Sequence, residues 1–193
     1  MALGDREDDG HHTTYHHADL FQWLDRQPST CRVAIVHCVS ACLANGAGFA
    51  RGVTNRYGRP PEYQNEKVKL KTGDCVIQPI AGSNVTVVHV VTKPSLQRKP
   101  SKSWFALGLD NAAKQCASGD YDVVIAPLLG AGLDRLPIDY VVQKIGETIG
   151  NIDGMPVHVF VNQDAQWPTV ATAVSAERDK NDKRRLDMSR HQG

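Results

Sequence analysis

No two of the cysteines stand at CxxC spacing; the five that occur, Cys31, Cys38, Cys42, Cys75 and Cys116, are an odd number scattered along the chain. That spread speaks against a disulfide framework and against a zinc cluster, and it suits a reducing compartment. Long apolar runs are missing too, none approaching the roughly 18 residues that a membrane span needs. The first ten residues, MALGDREDDG, lack the apolar stretch of an export signal. The expectation is an intracellular protein, cytoplasmic or nuclear, without membrane contact. Nor is there an excess of one charge, because 22 Lys and Arg face 21 Asp and Glu. The basic footprint of a dedicated nucleic-acid binder is therefore absent.

What is present fits one domain, since 193 residues can bury one substantial core but hardly two. Residues 1–12 carry charge, glycine and histidine without apolar period, and residues 166–193 are dominated by mixed charge (ERDKNDKRRLDMSRHQG). Both ends are expected to be disordered tails around a core at 13–165. Within it, CRVAIVHCV, DCVIQPI, NVTVVHVVT, YDVVIAP and MPVHVFV are β-branched runs bounded by turn-forming residues, as buried strands are. Thr13 to Ala18 is a weaker strand at the front. Helical spacing appears three times. In Pro137–Gly150 the residues Ile138, Val141, Val142, Ile145 and Ile149 share one face, with Gly150 as the expected C-terminal cap. Phe105, Leu109, Ala112 and Cys116 define a second helix, and Gly48 to Tyr57 a shorter third. Strands alternating with helices predict an α/β sheet covered on both faces, with its site in loops beyond the carboxyl ends of the strands.

Two such loops are rich in glycine. SACLANGAGFARG places Gly46, Ala47 and Gly48 between a strand and a helix, and PLLGAGLDRLP does the same with Leu128, Leu129, Gly130, Ala131, Gly132 and Leu133. Glycine lets backbone come close to a ligand, and free N–H groups at a helix start favour phosphate. No GK[ST] follows either loop, and neither has dinucleotide-fingerprint spacing, so a diphosphate clamped from two sides is favoured over a triphosphate with Mg²⁺.

Taken in order, TYHHADLF, AIVHCVS, NGAGFA, VTKPS and GAGLDRL resemble the macro domain family over about residues 13–162, most of all its terminal ADP-ribose protein glycohydrolase branch. The resemblance implies a macro domain, three-layer α/β/α with a central mixed sheet, binding ADP-ribose or ADP-ribosylated protein. It implies that Asp19 bonds the adenine amine, that Leu20 and Ser40 line the nucleoside and ribose, and that the two glycine loops hold diphosphate and distal ribose, with Asn162 also in the binding set. Lys93, in HVVTKPS, matches that branch's nucleophilic lysine, and Asp134, in GLDRL, its assisting aspartate. The implied activity is removal of ester-linked mono-ADP-ribose from Glu or Asp, together with deacylation of O-acetyl-ADP-ribose. No metal or organic cofactor is implied, and a monomer is expected. Ser40 stands where the commoner macro domain hydrolases have an asparagine, which favours the lysine branch. The long first turn, FQWLDRQPSTCR, and the lengthened loop with RYGRPPEYQNEK depart from the pattern and bear on substrate access.

Other functions stay open from the residues: a non-catalytic reader of ADP-ribose, a phosphatase acting on ADP-ribose 1″-phosphate, or a hydrolase of ADP-ribosylated nucleic acid. Considered alone, Lys93 is an ordinary lysine at a strand end and Asp134 an ordinary residue ahead of a helix. His11, His12, His16 and His17 do not form a metal site by spacing, because strand neighbours point to opposite faces. His37 is expected to be a satisfied core residue, and Cys38 and Cys42 to be packing residues. Arg98, Lys99 and Lys102, just after Lys93, are candidates for attracting an anionic ligand.

Overall fold

The computed structural model describes residues 2–3, 13–65 and 67–190. The elements in chain order are β1 (Ala2–Leu3), β2 (Thr13–His16), α1 (Leu20–Leu24), β3 (Val33–Ser40), α2 (Gly48–Tyr57), a 3-10 turn (Pro61–Gln64), β4 (Cys75–Pro79) and β5 (Val85–Lys93). There follow α3 (Lys102–Ser118), β6 (Val123–Pro127), α4 (Ile138–Glu147), a second 3-10 turn (Ile149–Asn151), β7 (Val157–Phe160) and α5 (Trp167–Arg190).

The strands form one sheet in the order β1-β2-β7-β6-β3-β5-β4. Its five inner strands run parallel, and the two edge strands, β1 and β4, are antiparallel to their neighbours. Alternate residues of the central strands enter opposite layers. Ala34, Val36, Val88, Val90, Val124 and Ala126 pack with Phe105 and Leu109 of α3, Val141 and Ile145 of α4, and Val170 and Val174 of α5. Val33, Ile35, Val87 and Ile125 pack on the other side with Leu20 and Leu24 of α1 and Val53 of α2. Because both faces are covered, the central strands read as unbroken hydrophobic runs. This is the three-layer arrangement with a mixed sheet that the sequence led one to expect.

Three local expectations need correction. The segment from Trp167 is not a disordered tail: it is helical to Arg190, and its first two turns belong to the core, with Val170 fully buried and Val174 nearly so. The inward face is short, Val170 and Val174 at i and i+4 with Trp167 and Ala173 packed beside them, and the charge-rich remainder hid it. FQWLDRQPSTCR is not a turn throughout: its first four residues belong to α1, started by Asp19, whose side chain accepts the Gln22 N–H at 2.9 Å. Finally, α4 ends at Glu147, and Gly150 lies in the following 3-10 turn instead of capping the helix. A side chain at Gly150 would collide with Thr13 Oγ1 of β2 and with the Ile145 carbonyl, so glycine is needed there for close approach.

Of the N-terminal tail, Ala2–Leu3 pair with Tyr15 and His16, whereas residues 4–12 lie outside the described residues, His11 and His12 among them.

Candidate functional site

After β3 the chain departs toward the β5-β4 edge, and after β6 it departs toward β7 and β2. β3 and β6 are parallel neighbours, so a crevice opens where the two connections part, beyond their carboxyl ends. The two glycine loops leave from these strands. They meet across the crevice: a side chain added at Gly48 would touch Leu133 Cδ1 at 3.2 Å, and Leu133 itself is 68 % exposed.

Backbone N–H groups gather here. None from Asn45 to Ala50, and none from Leu129 to Asp134, donates to a backbone carbonyl among the described residues. The first set belongs to the loop and the opening turn of α2, where helix geometry leaves amides unpaired. The second belongs to a loop held open by Gly130, at φ 68°, where a side chain would strike Leu136 and Phe105. Two runs of donors without backbone partners, on two loops that meet at one crevice, suit a diphosphate.

Lys93 and Asp134, 41 residues apart in the chain, converge at this crevice. Lys93 Nζ donates to Asp134 Oδ1 at 2.6 Å, with the two side chains only 16 % and 13 % exposed. Lys93 is the last residue of β5 and pairs with Ser40 at the end of β3, across a bulge between Val39 and Ser40. The Ala41 N–H then donates to the Lys93 carbonyl at 2.9 Å, fixing the strand end from which the side chain departs. Ser40 is buried, and its Oγ lies 3.1 Å from Cys42 Sγ.

A second cluster sits beyond β2 and β7. Asn162 Nδ2 donates to Asp19 Oδ2 at 3.2 Å, while Asp19 Oδ1 caps α1. Leu20 is buried in the core layer beneath α1 and α2. His17 Nε2 lies 3.0 Å from Asp164 Oδ1, and its ring stacks on Trp167 at 5.1 Å between centroids. His16 instead meets His158, Nε2 to Nδ1 at 2.9 Å. Adjacent histidines thus take unrelated partners, and among the described residues no three metal-ligating side chains come together.

The cationic loop after Lys93 is less well gathered. Arg98 and Lys99 are exposed, and Lys102 turns its ammonium over the Tyr140 ring at 4.7 Å.

Sequence reasoning missed two polar groups of the site. Asn45 is 5 % exposed, in the left-handed region at φ 49°, and its Nδ2 has no partner among the described residues. Its place before Gly46 was the available signal, since asparagine tolerates that backbone better than most residues. Gln166 Nε2 donates to the Ala131 carbonyl at 3.1 Å, from a segment the sequence had consigned to a tail. Among the cysteines, burial first and the Asp134 charge second push the Cys38 thiol up to about 12, which disfavours the thiolate. His37 is only half satisfied: Nε2 lies 2.7 Å from His89 Nδ1, but its own Nδ1 has no partner among the described residues.

The fold is that of the macrodomains. Among solved structures, a macrodomain of Oceanobacillus iheyensis determined with ADP superposes with a TM-score of 0.71 at 17% identity, covering 93% of this chain and 98% of its own. The macrodomain of Mycobacterium tuberculosis DarG gives 0.65 at 19% identity, covering 78% and 98%. In sequence, the chain is similar to the ADP-ribose glycohydrolase OARD1 of Bos taurus and of Homo sapiens, each 28% identical over 154 residues, 79% of this chain and 95% of theirs. No family profile matches the chain. No helix among the described residues is long and apolar enough to cross a membrane.

Proposed function

We propose that this protein binds ADP-ribose in the crevice and hydrolyses the ester joining ADP-ribose to Glu or Asp of a modified protein, and the related ester of O-acetyl-ADP-ribose. The observation that carries this reading is the 2.6 Å contact between Lys93 Nζ and Asp134 Oδ1 beside two runs of amide donors without backbone partners. Similarity to ADP-ribose glycohydrolases and to a macrodomain solved with ADP supports it.

An ammonium cannot attack, so a proton must first leave Lys93, and Asp134 Oδ1 is placed to take it. The amine then adds to C1″ of the distal ribose. The bond from C1″ to the ester oxygen breaks, its electron pair leaves with the carboxylate of the modified side chain, and Asp134 hands that leaving group the proton it took from Lys93, which restores the Asp134 carboxylate. Water next displaces the amine at C1″, with Asp134 receiving the water proton, and free ADP-ribose departs. The glycine loops hold the diphosphate so that C1″ lies at the amine, which is where positioning lowers the barrier. Asp19 and Asn162, bonded to each other, take the adenine end.

The test is a Glu-ADP-ribosylated peptide incubated with the wild-type protein, Lys93→Ala and Asp134→Ala, with release followed by mass spectrometry and ADP-ribose binding followed by calorimetry. Both variants are expected to bind and not to turn over. A fully active Lys93→Ala protein would refute the lysine mechanism, and a wild-type protein indifferent to ADP-ribose would refute the whole reading.

A further inference from the structure

β7 lies between β2 and β6 in the sheet, so the chain leaving β7 can reach the exits of both neighbours. It does so with four side chains in six residues. Asn162 bonds Asp19, Asp164 approaches His17, and Trp167 stacks on His17, all toward the β2 exit. Gln166 reaches the other way and bonds the Ala131 carbonyl, beyond β6. The segment is held in form by its own turns, from Gln166 N–H to the Gln163 carbonyl at 2.9 Å and from Val170 N–H to the Gln166 carbonyl at 3.0 Å, and α5 then anchors it in the core.

The bond to Ala131 has a geometric consequence. No described peptide bond is cis, and in a trans peptide the carbonyl of one residue and the N–H of the next point in opposite directions. The Gly130 carbonyl accepts from Leu136 N–H at 3.0 Å and the Gly132 carbonyl from Arg135 N–H at 3.2 Å, both within the loop. Ala131 is the carbonyl between them, and its partner comes from outside the loop, from Gln166. With all three carbonyls held, the N–H groups of Ala131, Gly132 and Leu133 are turned away from those partners.

We propose that residues 162–167 are a positioning strap joining the nucleoside end of the site to the diphosphate loop, and that Gln166, through the Ala131 carbonyl, is a positioning residue keeping that loop's amides turned to the ligand. This rests on the reading of the crevice as an ADP-ribose site. Gln166 touches no reacting atom. Without it the peptide between Ala131 and Gly132 is free to rotate, and the Gly132 N–H is withdrawn for part of the time, so binding weakens while the Lys93–Asp134 pair keeps its geometry.

The experiment uses the full chain with Gln166→Met, which keeps length but cannot donate, and Gln166→Glu, which puts a carboxylate oxygen where the donor was. Calorimetry gives the Kd for ADP-ribose, steady-state assays give kcat and KM for a Glu-ADP-ribosylated peptide, and hydrogen–deuterium exchange reads amides 129–134 without ligand. The expected result is a Kd and KM raised about 10-fold, kcat within about twofold, faster exchange confined to residues 129–134, and a melting temperature lowered by no more than a few degrees. Unchanged exchange and unchanged affinity in either folded variant would overturn the proposal. If the wild-type protein itself ignores ADP-ribose, the functional reading falls; faster exchange in the variants would still uphold Gln166 as the holder of the loop, and unchanged exchange would remove that as well.

Discussion

Replacing His89 by leucine should cost more stability than the same change at His37, although the two rings touch. The chain of bonds dictates the order. Gln78 lies 3.2 Å from the Tyr57 carbonyl, which can only accept, so the Gln78 amino group points there and its Oε1 is left to accept from His89 Nε2–H at 2.8 Å. His89 Nδ1 is then an acceptor, and His37 Nε2–H donates to it at 2.7 Å. Both rings are neutral Nε2–H tautomers, and His37 Nδ1 remains an acceptor without a partner among the described residues. His89→Leu strands two buried groups, the His37 donor and Gln78 Oε1. His37→Leu strands one, His89 Nδ1, and removes one already unpaired. At about 1–3 kcal/mol for each stranded group, His89→Leu should lose about 2–6 kcal/mol by this count, whereas in His37→Leu the one group stranded is offset by the one removed. In a domain of this size each kcal/mol moves the melting temperature by about 2–4 °C, so the two variants should differ by several degrees. Urea unfolding followed by tryptophan fluorescence measures the difference, and nitrogen chemical shifts of the imidazoles report the tautomers. Equal losses, a reversed order, or an Nδ1–H tautomer at His89 would refute the reasoning.

Acid should destabilise the fold before its carboxylates titrate. Burial holds His89 at about 4, and burial followed by the neighbouring His158 holds His16 at about 4, below the ordinary 6.5. With the folded value depressed, the unfolded chain binds more protons between those limits, so this stability is complete above pH 6.5 and is lost as pH falls toward 4; for His89 it amounts to about 3 kcal/mol at most. Melting temperatures from pH 7.5 to 4.5 check it, and a flat profile contradicts it. Asn45→Gly keeps the left-handed backbone accessible and removes an amide whose Nδ2 is unpaired, so stability should change by less than about 1 kcal/mol while ADP-ribose affinity falls about fivefold if that amide meets the ligand. Calorimetry beside thermal melts separates the two effects, and unaltered affinity would remove Asn45 from the site. Asp19→Ala should cost about 1 kcal/mol by uncapping α1, measurable by denaturant unfolding, and should also raise the Kd for ADP-ribose.

The layers of the molecule were legible in the residues because parallel strands buried on both faces leave continuous apolar runs. VAIV in β3 and VVIA in β6 are such runs, and α4 shows its inner face through Val141, Val142 and Ile145. The two glycine loops were legible for a local reason, since a strand turning directly into a helix near a ligand needs backbone without side chains. α1 was not, being five residues long with Leu20 and Leu24 as its only buried positions. α5 was not either, because Val170 and Val174 are two apolar residues at the start of a helix that is otherwise charged and wet.

By itself the sequence determined the sheet, its two covering layers and the type of loop at each strand end, because those follow from periodicity and from backbone conformation within a few residues. Only the tertiary structure decided that Lys93 meets Asp134, that Asn162 meets Asp19 and that Gln166 reaches Ala131. Each of those meetings depends on which strands lie side by side, and strand order is chosen by the packing of the whole core, to which no local stretch of residues has access.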